Sequence, residues 1–553
     1  MRSLEHEGVT TLFGYPGGAI MPVYDALYGY RDKLNHVLVR HEQAATHAAE
    51  GYARVSGKVG VCLVTSGPGA TNTVTGIADA MMDSTPIVVI AGQVGTSMLG
   101  SDAFQECDLV GVTQPISKWA YQIRRPEDVA WAVSRAFYIA KSGRPGPVVL
   151  DFAKNAQVGM VDYEPCHIDF IRSYVPVPKT DPESVRQAAE LINGAKRPFI
   201  LVGQGVEIGG AQEELRTLIE RADIPAGCTL LGLSALPSDH PLNMGMLGMH
   251  GSLANSVKTQ ECDVLIAVGM RFDDRITGKL STYATQAKKI HFEIDPAEIN
   301  KNVPVDVAVL GDCKQTLAEV LALVKPNDHR EWVGSFQKHL DEEKRVVIEP
   351  EIHPGEGPIK MGEVVRKVTE MTDNKAILVT DVGQNQMLSA RYFKFSQKRS
   401  IVTSGGMGTM GFGLPAAIGA TFGAPERMVC LFVGDGGIQM TLQEFGTIME
   451  QHSPVKIILL NNNYLGNVRQ WQEMFFGKRY SFTPMMNPDY NMIASAYGIP
   501  NRTVIERGDL ERAIQEMIDT EGPYLLQVAV IEEGRVLPMC CPGNDVDDMV
   551  LDY

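Results

Sequence analysis

The apolar run Met428-Val-Cys-Leu-Phe-Val433 passes into Gly434-Asp435-Gly436, and Asn461-Asn462 follow 26 positions after Asp435, at the end of a second apolar run, Val455 to Leu460. Each run has strand length and ends in turn residues, and the interval holds one helix. The pattern is therefore a strand–helix–strand unit with parallel strands. It brings one carboxylate and one amide oxygen to the carboxyl ends of neighbouring strands, the edge at which open α/β sheets take ligands. Two hard oxygen donors that leave other positions free suit Mg²⁺ carrying a phosphorylated ligand. A helix N-terminus after Gly436 favours the phosphate charge. Alone, Gly-Asp-Gly is a turn and the asparagines are strand-end caps; their conjunction one unit apart favours a site.

The same rhythm extends outward in both directions. Residues 1–165 alternate apolar runs (Val37–Val39, Val59–Thr65, Pro86–Ile90) with helical patterns near Gln43–Val55 and Thr71–Met82. Residues 183–325 repeat it with strands expected at Pro198–Val202, Val264–Val268 and Ile290–Ile294, and residues 359–530 with strands starting at Ala376–Thr380. Such alternation means an α/β chain of three doubly wound parallel-sheet domains. Blocks one and three share a strand, glycine loop, helix order, so two similar folds should flank a different third. Val175–Pro182 reads as a proline-rich linker, the polar stretch Lys325–Pro358, with a short charged helix pattern, as a second connection, and residues 531–553 as a tail or lid.

Bulk properties narrow the class. The 553 residues give enough chain for three or four domains with buried cores. A net charge of −16 argues against nucleic acid and anionic membrane as partners. The nine cysteines are scattered with no CxxC, which suggests neither a zinc cage nor a disulfide framework and points to a reducing, cytoplasmic compartment. No apolar run reaches membrane-spanning length, and the acidic start Met1-Arg-Ser-Leu-Glu-His-Glu is unlike a signal peptide.

Block one adds Arg40-His41-Glu42 directly after a strand, with glycine loops Tyr15-Pro-Gly-Gly18 and Thr65-Ser-Gly-Pro-Gly69 nearby. A carboxylate there can be only a helix-start charge, but glycine loops let a ligand approach the backbone. These stretches resemble the thiamine-diphosphate-dependent decarboxylase/carboligase superfamily, and within it the catalytic subunits of acetohydroxyacid synthase (acetolactate synthase). So do Gly51-Tyr-Ala-Arg, Asp102-Ala-Phe-Gln-Glu, Ser142-Gly-Arg-Pro-Gly-Pro, Met246-Leu-Gly-Met-His-Gly, Arg271-Phe-Asp-Asp-Arg, Thr403-Ser-Gly-Gly-Met-Gly and Leu460-Asn-Asn. The motifs span nearly the whole chain in the family's order.

The resemblance implies roles at matching positions. Asp435, Asn462 and the carbonyl of Tyr464 would hold Mg²⁺ against the diphosphate, with Gln384, Asn385, Gly436 and Gly437 beside it. Gly408 and Met410 would hold the aminopyrimidine, and Glu42 would hydrogen-bond its ring nitrogen. The first block would be the pyrimidine-binding domain and the third the diphosphate-binding domain, meeting across a homodimer or a dimer of dimers. Gly203, Gly205, Thr229, Leu230, Gly248, Met249, His250, Gly269, Arg271, Asp273, Glu293, Ile294 and Asp312, with Arg144 from block one, resemble a largely structural FAD site in the central domain. Arg275 would pair with the acceptor's carboxylate and Trp471 would favour 2-oxobutyrate as acceptor. Gly18, Phe104, Gln105 and Lys154 are carried over as active-site and channel residues.

The implied reaction decarboxylates pyruvate and transfers the hydroxyethyl unit to a second pyruvate or to 2-oxobutyrate. The products would be 2-acetolactate or 2-aceto-2-hydroxybutyrate, in branched-chain amino acid biosynthesis. A separate small regulatory subunit is an expected kind of partner. Gly437 stands where the family often has Ser or Ala, Asn467 where Met is common, and Gly95 where Pro is frequent. A pyruvate oxidase-like enzyme or a flavin-free catabolic acetolactate synthase is the alternative. A non-catalytic homologue should lack Glu42 or Asp435, and both are present.

Overall fold

A computed structural model describes residues 1–552. The first sheet contains β1 (Thr11–Gly14), β2 (Asn35–Leu38), β3 (Gly60–Val64), β4 (Ile87–Gln93), β5 (Trp119–Ile123) and β6 (Val148–Ala153). The second contains β7 (Pro198–Val202), β8 (Ala226–Cys228), β9 (Asn243–Met246), β10 (Val264–Val268), β11 (Lys288–Glu293) and β12 (Val307–Leu310). The third contains β13 (Ile377–Thr380), β14 (Ile401–Val402), β15 (Val429–Gly434), β16 (Val455–Asn461), β17 (Asn501–Val504) and β18 (Tyr524–Ala529). Neighbouring strands in all three sheets run parallel.

The first sheet is ordered β2-β1-β3-β4-β6-β5 and the third β14-β13-β15-β16-β18-β17, which is the same topology. The central sheet reads β12-β11-β10-β7-β8-β9, the doubly wound order of dinucleotide-binding sheets. Two like folds thus flank a different third, as the shared loop rhythm implied. Inner strands such as Val61–Val64 and Val429–Val433 are buried throughout, because helices cover both faces of a parallel sheet.

Helices α1 (Glu42–Ser56), α2 (Val74–Met82) and α3 (Gly413–Gly423) join the outer domains. α1 and α3 follow the second strands of their respective sheets, so they are topological equivalents, and they pack on each other. Both are rich in Gly and Ala. A Cβ on Gly51 would lie 2.0 Å from the Ala416 carbonyl oxygen, and one on Gly419 would lie 1.8 Å from that of Ala48. Only glycine permits that approach.

The structure departs from the sequence reading in three places. The helix expected over Thr71–Met82 is split into Pro68–Thr71 and α2, and Asn72 at the break donates Nδ2 to Glu42 Oε2 at 2.9 Å. The stretch Lys325–Pro358 is helical, as its charged pattern suggested, but it is a strap packed on the central sheet rather than a plain connection. Trp332 and Phe336 are buried beside Phe199 of β7, and Trp332 Nε1 donates to the Pro198 carbonyl at 2.8 Å. Too few apolar residues stand among its charges for periodicity to reveal that. The C-terminal segment is anchored by buried Val536, Met539, Cys540 and Val546. All nine cysteines are free, and no helix among the described residues is long and apolar enough to cross a membrane.

Candidate active site

Register places Gly434 of β15 opposite Leu460 of β16, so Asp435 and Asn461-Asn462 leave adjacent strands at the same edge. This edge adjoins the point where strand order reverses about β13 and β15, where sheets of this order take ligands. Helix α4 (Asp435–Met440) begins at Asp435 itself, two residues earlier than expected, so Gly436 and Gly437 occupy its first turn. Asp435 is buried, and burial pushes its carboxyl up to about 6. Asn487 Nδ2 donates to Asp435 Oδ2 at 2.7 Å and also to Asn461 Oδ1 at 3.1 Å. Tyr490 and Gln439 donate to the Asp435 carbonyl at 2.9 and 3.1 Å. Asn462 is buried, and its Oδ1 accepts from Tyr464 N at 3.3 Å.

The supporting residues divide into two kinds. Asn385 is buried and its Oδ1 lacks a partner. Gln384 is committed elsewhere: Nε2 donates to the Gly534 carbonyl at 2.7 Å and Oε1 accepts from Asn462 at 3.4 Å. Gly408 sits at φ +67. Met410 Cε would lie 3.7 Å from a Cβ on Gly436. The departure at position 437 has a local reason, since a Cβ there would sit 2.4 Å from Asp381 Oδ1. Asp381 is fully buried and accepts from the amides of Val382, Gly411 and Gly413. It follows β13 as Asp435 follows β15, a signal the sequence carried.

Glu42 opens α1, and His41 caps that helix, with Nδ1 accepting from Gln43 N at 3.2 Å. Glu42 Oε1 would lie 3.3 Å from a Cβ on Gly69. Gln105, at φ +61, packs on Gly67 of the same loop. Gly18 is exposed with open space beside it, Phe104 is 88% exposed, and Lys154 is exposed. Among the described residues no hydrogen bond or ion pair joins Glu42 to the Asp435 edge, and its partner Asn72 belongs to the first domain.

The central sheet reverses its order between β7 and β10, and a cavity of about 740 Å³ opens there. Arg144, Gly205, Thr229, Leu230, Met249, His250, Gly269, Arg271, Asp273, Glu293, Ile294 and Asp312 line it. Gly203 and Gly248 do not. Gly203 is spent on loop packing, where a Cβ would lie 2.1 Å from the Gly269 carbonyl oxygen, and Gly248 at φ +94 turns the chain against Arg275. Arg144 crosses from the first domain to pair with Glu298 at 2.9 Å. Burial pushes Glu293 up to about 7 and His250 down to about 4. His250 Nδ1 contacts the Pro538 carbonyl at 3.3 Å, which suits packing rather than base chemistry. The cavity continues to Gly408, Asn467 and Trp471. Trp471 lies on α5 (Gly466–Phe475), half-buried against Phe475. Arg275 is half-exposed, 3.7 Å from Asp274, and also reaches the cavity wall.

The donor set fits its expected occupants. A carboxylate, an amide oxygen and nearby carbonyls are hard ligands for Mg²⁺ with phosphate. Asn385 Nδ2 donates to the Val382 carbonyl at 3.1 Å, which holds that side chain beside them. The cavity has the size and the switch-point position of a nucleotide cofactor site. The sequence reading passed over Asp79, Asp83, Asp381 and Asn487, and held Asn72 only as the last residue of the matching stretch Thr65-Ser-Gly-Pro-Gly-Ala-Thr-Asn. Of these only Asp381, at a strand end, had a local signal.

Comparison with known proteins gives concordant matches. Residues 1–112 match the thiamine pyrophosphate enzyme N-terminal TPP binding domain, 185–320 the central domain and 381–528 the C-terminal TPP binding domain. The chain is 43% identical over 551 residues to the acetolactate synthase isozyme 2 large subunit of Escherichia coli, covering 100% of this chain and 98% of that one. It is 42% identical over 552 residues to the acetolactate synthase large subunit of Lactococcus lactis, with 100% and 95% covered. A probable acetolactate synthase large subunit of Methanocaldococcus jannaschii is 45% identical over 564 residues, with 100% and 94% covered.

Proposed function

The chain belongs to the acetolactate synthase large-subunit family of thiamine pyrophosphate enzymes, and from that premise we propose how its residues perform the reaction. It is a thiamine-diphosphate-dependent carboligase that joins the two-carbon unit left by pyruvate decarboxylation to a second 2-oxo acid. The buried Asp435 edge carries the reading. Asp435, Asn462 and the Tyr464 carbonyl would hold Mg²⁺ and with it the diphosphate, and Asn487 fixes the Asp435 rotamer. Gly408 and Met410 seat the aminopyrimidine. When bound, thiamine diphosphate supplies the nucleophilic carbon and the electron sink.

Glu42 shares a proton with the pyrimidine ring nitrogen, while Asn72 holds its other carboxylate oxygen in place. Arg275 offers a guanidinium to the acceptor's carboxylate, and Trp471 gives the acceptor an apolar wall that favours the longer 2-oxobutyrate. The central cavity would hold FAD, which would take no net part in the redox balance. Exclusion of water by these walls protects the transferred unit from protonation.

Glu42 serves the Asp435 edge of a second copy, so a dimer is the minimal active unit. The exposed Phe104 (88%), Phe482 (96%) and Met486 (97%) support this arrangement. The relatives are named large subunits, which supports a separate small subunit as a further partner. Nine free thiols support a reducing, cytoplasmic setting.

The test is product analysis with Mg²⁺, thiamine diphosphate and FAD, using pyruvate alone and pyruvate with 2-oxobutyrate. The expected products are 2-acetolactate and then mainly 2-aceto-2-hydroxybutyrate. Acetate with flavin turnover, or full activity without flavin, would favour the alternatives instead.

A further inference from the structure

The loop Ser404–Thr409 leads into Gly408 and Met410 and also forms a wall of the central cavity. Its backbone is gripped by carboxylates of the first domain, more than 300 positions away in the chain. Asp83 Oδ2 accepts from Gly405 N at 2.8 Å and Oδ1 from Gly406 N at 2.7 Å. Arg54 NH2 donates to the same Oδ2 at 2.7 Å. Asp79 Oδ1 accepts from the Ser404 hydroxyl at 2.7 Å, and Ser404 Oγ accepts from Thr409 N at 2.8 Å, which closes the loop on itself. Asp79, Asp83 and Ser404 are essentially fully buried.

The residues flanking Asp83 also reach the cavity. Met82 and Ser84 line the cavity, and Ser84 takes a hydrogen bond from Arg144 Nε at 2.9 Å. Ser84 stands at φ +56, a left-handed conformation rare for residues other than glycine. A Cβ on Gly406 would lie 3.2 Å from Arg271 NH2, so the loop itself abuts a cavity arginine. One three-residue segment thus touches the cavity with its ends and the thiamine loop with its centre.

We propose that Asp83 is a positioning residue that ties the thiamine loop to the central cavity, so that filling the cavity and binding thiamine diphosphate favour each other. The idea rests on the functional reading above. Ordering the Met82–Ser84 and Arg144 wall stiffens the carboxylate that sets Gly405 and Gly406, and linkage makes the effect reciprocal. Asp83→Asn keeps the shape, but its amide nitrogen must face either a backbone N–H or Arg54, donor against donor.

The experiment is a titration of the full-length protein with thiamine diphosphate and Mg²⁺, followed by intrinsic fluorescence, in the absence and presence of saturating FAD. Wild-type protein should bind thiamine diphosphate at least about fivefold more tightly with FAD present. Asp83→Asn should shrink that ratio below about twofold while its melting temperature stays within a few degrees of wild type. Ser404→Ala reads the same clamp from the loop side and decides the matter if Asp83→Asn does not fold. An unchanged ratio in a folded variant, or no FAD effect in wild type, overturns the proposal. Failure of wild-type protein to bind thiamine diphosphate at all would instead overturn the functional reading.

Discussion

Gly51 of α1 lies against Ala416 of α3, with room for no side chain: a Cβ at position 51 would come within 2.0 Å of the Ala416 carbonyl oxygen. The contact joins the equivalent helices of two like-folded domains. Gly51→Ala should therefore separate them and destabilise the protein by about 2 kcal/mol or more, since backbone offers no way to yield. Thermal unfolding compares it with Gly194→Ala, where nothing lies within 4 Å, the backbone is not left-handed and the helix contact is untouched.

Glu42→Gln keeps the size of the side chain and removes its charge. The expected loss of carboligation is about 10²-fold or greater, the scale of a lost proton-transfer group. Binding of thiamine diphosphate, measured by fluorescence, should change far less than turnover.

Asn487→Ala frees the Asp435 carboxylate to rotate and removes the bonds to Asn461 and Asn463. Apparent Mg²⁺ affinity should weaken about 10- to 100-fold, as for other residues that orient a metal ligand. A Mg²⁺ titration monitored through thiamine diphosphate binding checks it, and an unchanged midpoint would remove Asn487 from the site.

Gly437→Ala pushes a methyl to 2.4 Å from Asp381 Oδ1. Asp381 holds the amides of Gly411 and Gly413, so the strain passes to the loop carrying Met410. The expected cost is about 1–3 kcal/mol of stability, with weaker thiamine diphosphate binding. Denaturant midpoints and the same fluorescence titration measure both.

Stability should fall as pH rises through about 8, because burial, then Glu50 and Asp83, push the Asp79 carboxyl up to about 8. His47 and the Ser404 hydroxyl also face it and oppose the shift. An unfolded Asp ionises near about 4, so above that the folded state binds the extra proton and loses its advantage as pH climbs. His47 is held neutral by burial and adds no opposing slope above its ordinary range near about 6.5. Asp79→Asn should flatten the decline in urea midpoint measured between about pH 7 and about pH 9.

Local pattern made much of the fold legible. Pro198–Val202 and Val264–Val268 form strands with the expected bounds, and Val455–Leu460 differs by one residue, because unbroken apolar runs between turn residues have few alternatives. In the Lys325–Pro358 strap a short helix was legible but its packing was not. Its stability comes from Trp332 and Phe336 meeting a core formed elsewhere in the chain.

By itself the sequence determined the α/β alternation, the two like domains and the strand-end oxygens of Asp435 and Asn461-Asn462, since each follows from a periodicity or a spacing within one unit. Tertiary structure alone decided what steadies those oxygens and how the parts are coupled. Asn487 reaches Asp435 across 52 positions, and Asp83 reaches Gly405 across 322. It also decided the central sheet's reversed strand order, which opens the cavity between β7 and β10. Such pairings depend on how whole sheets pack and where crossovers run, and no local propensity encodes them.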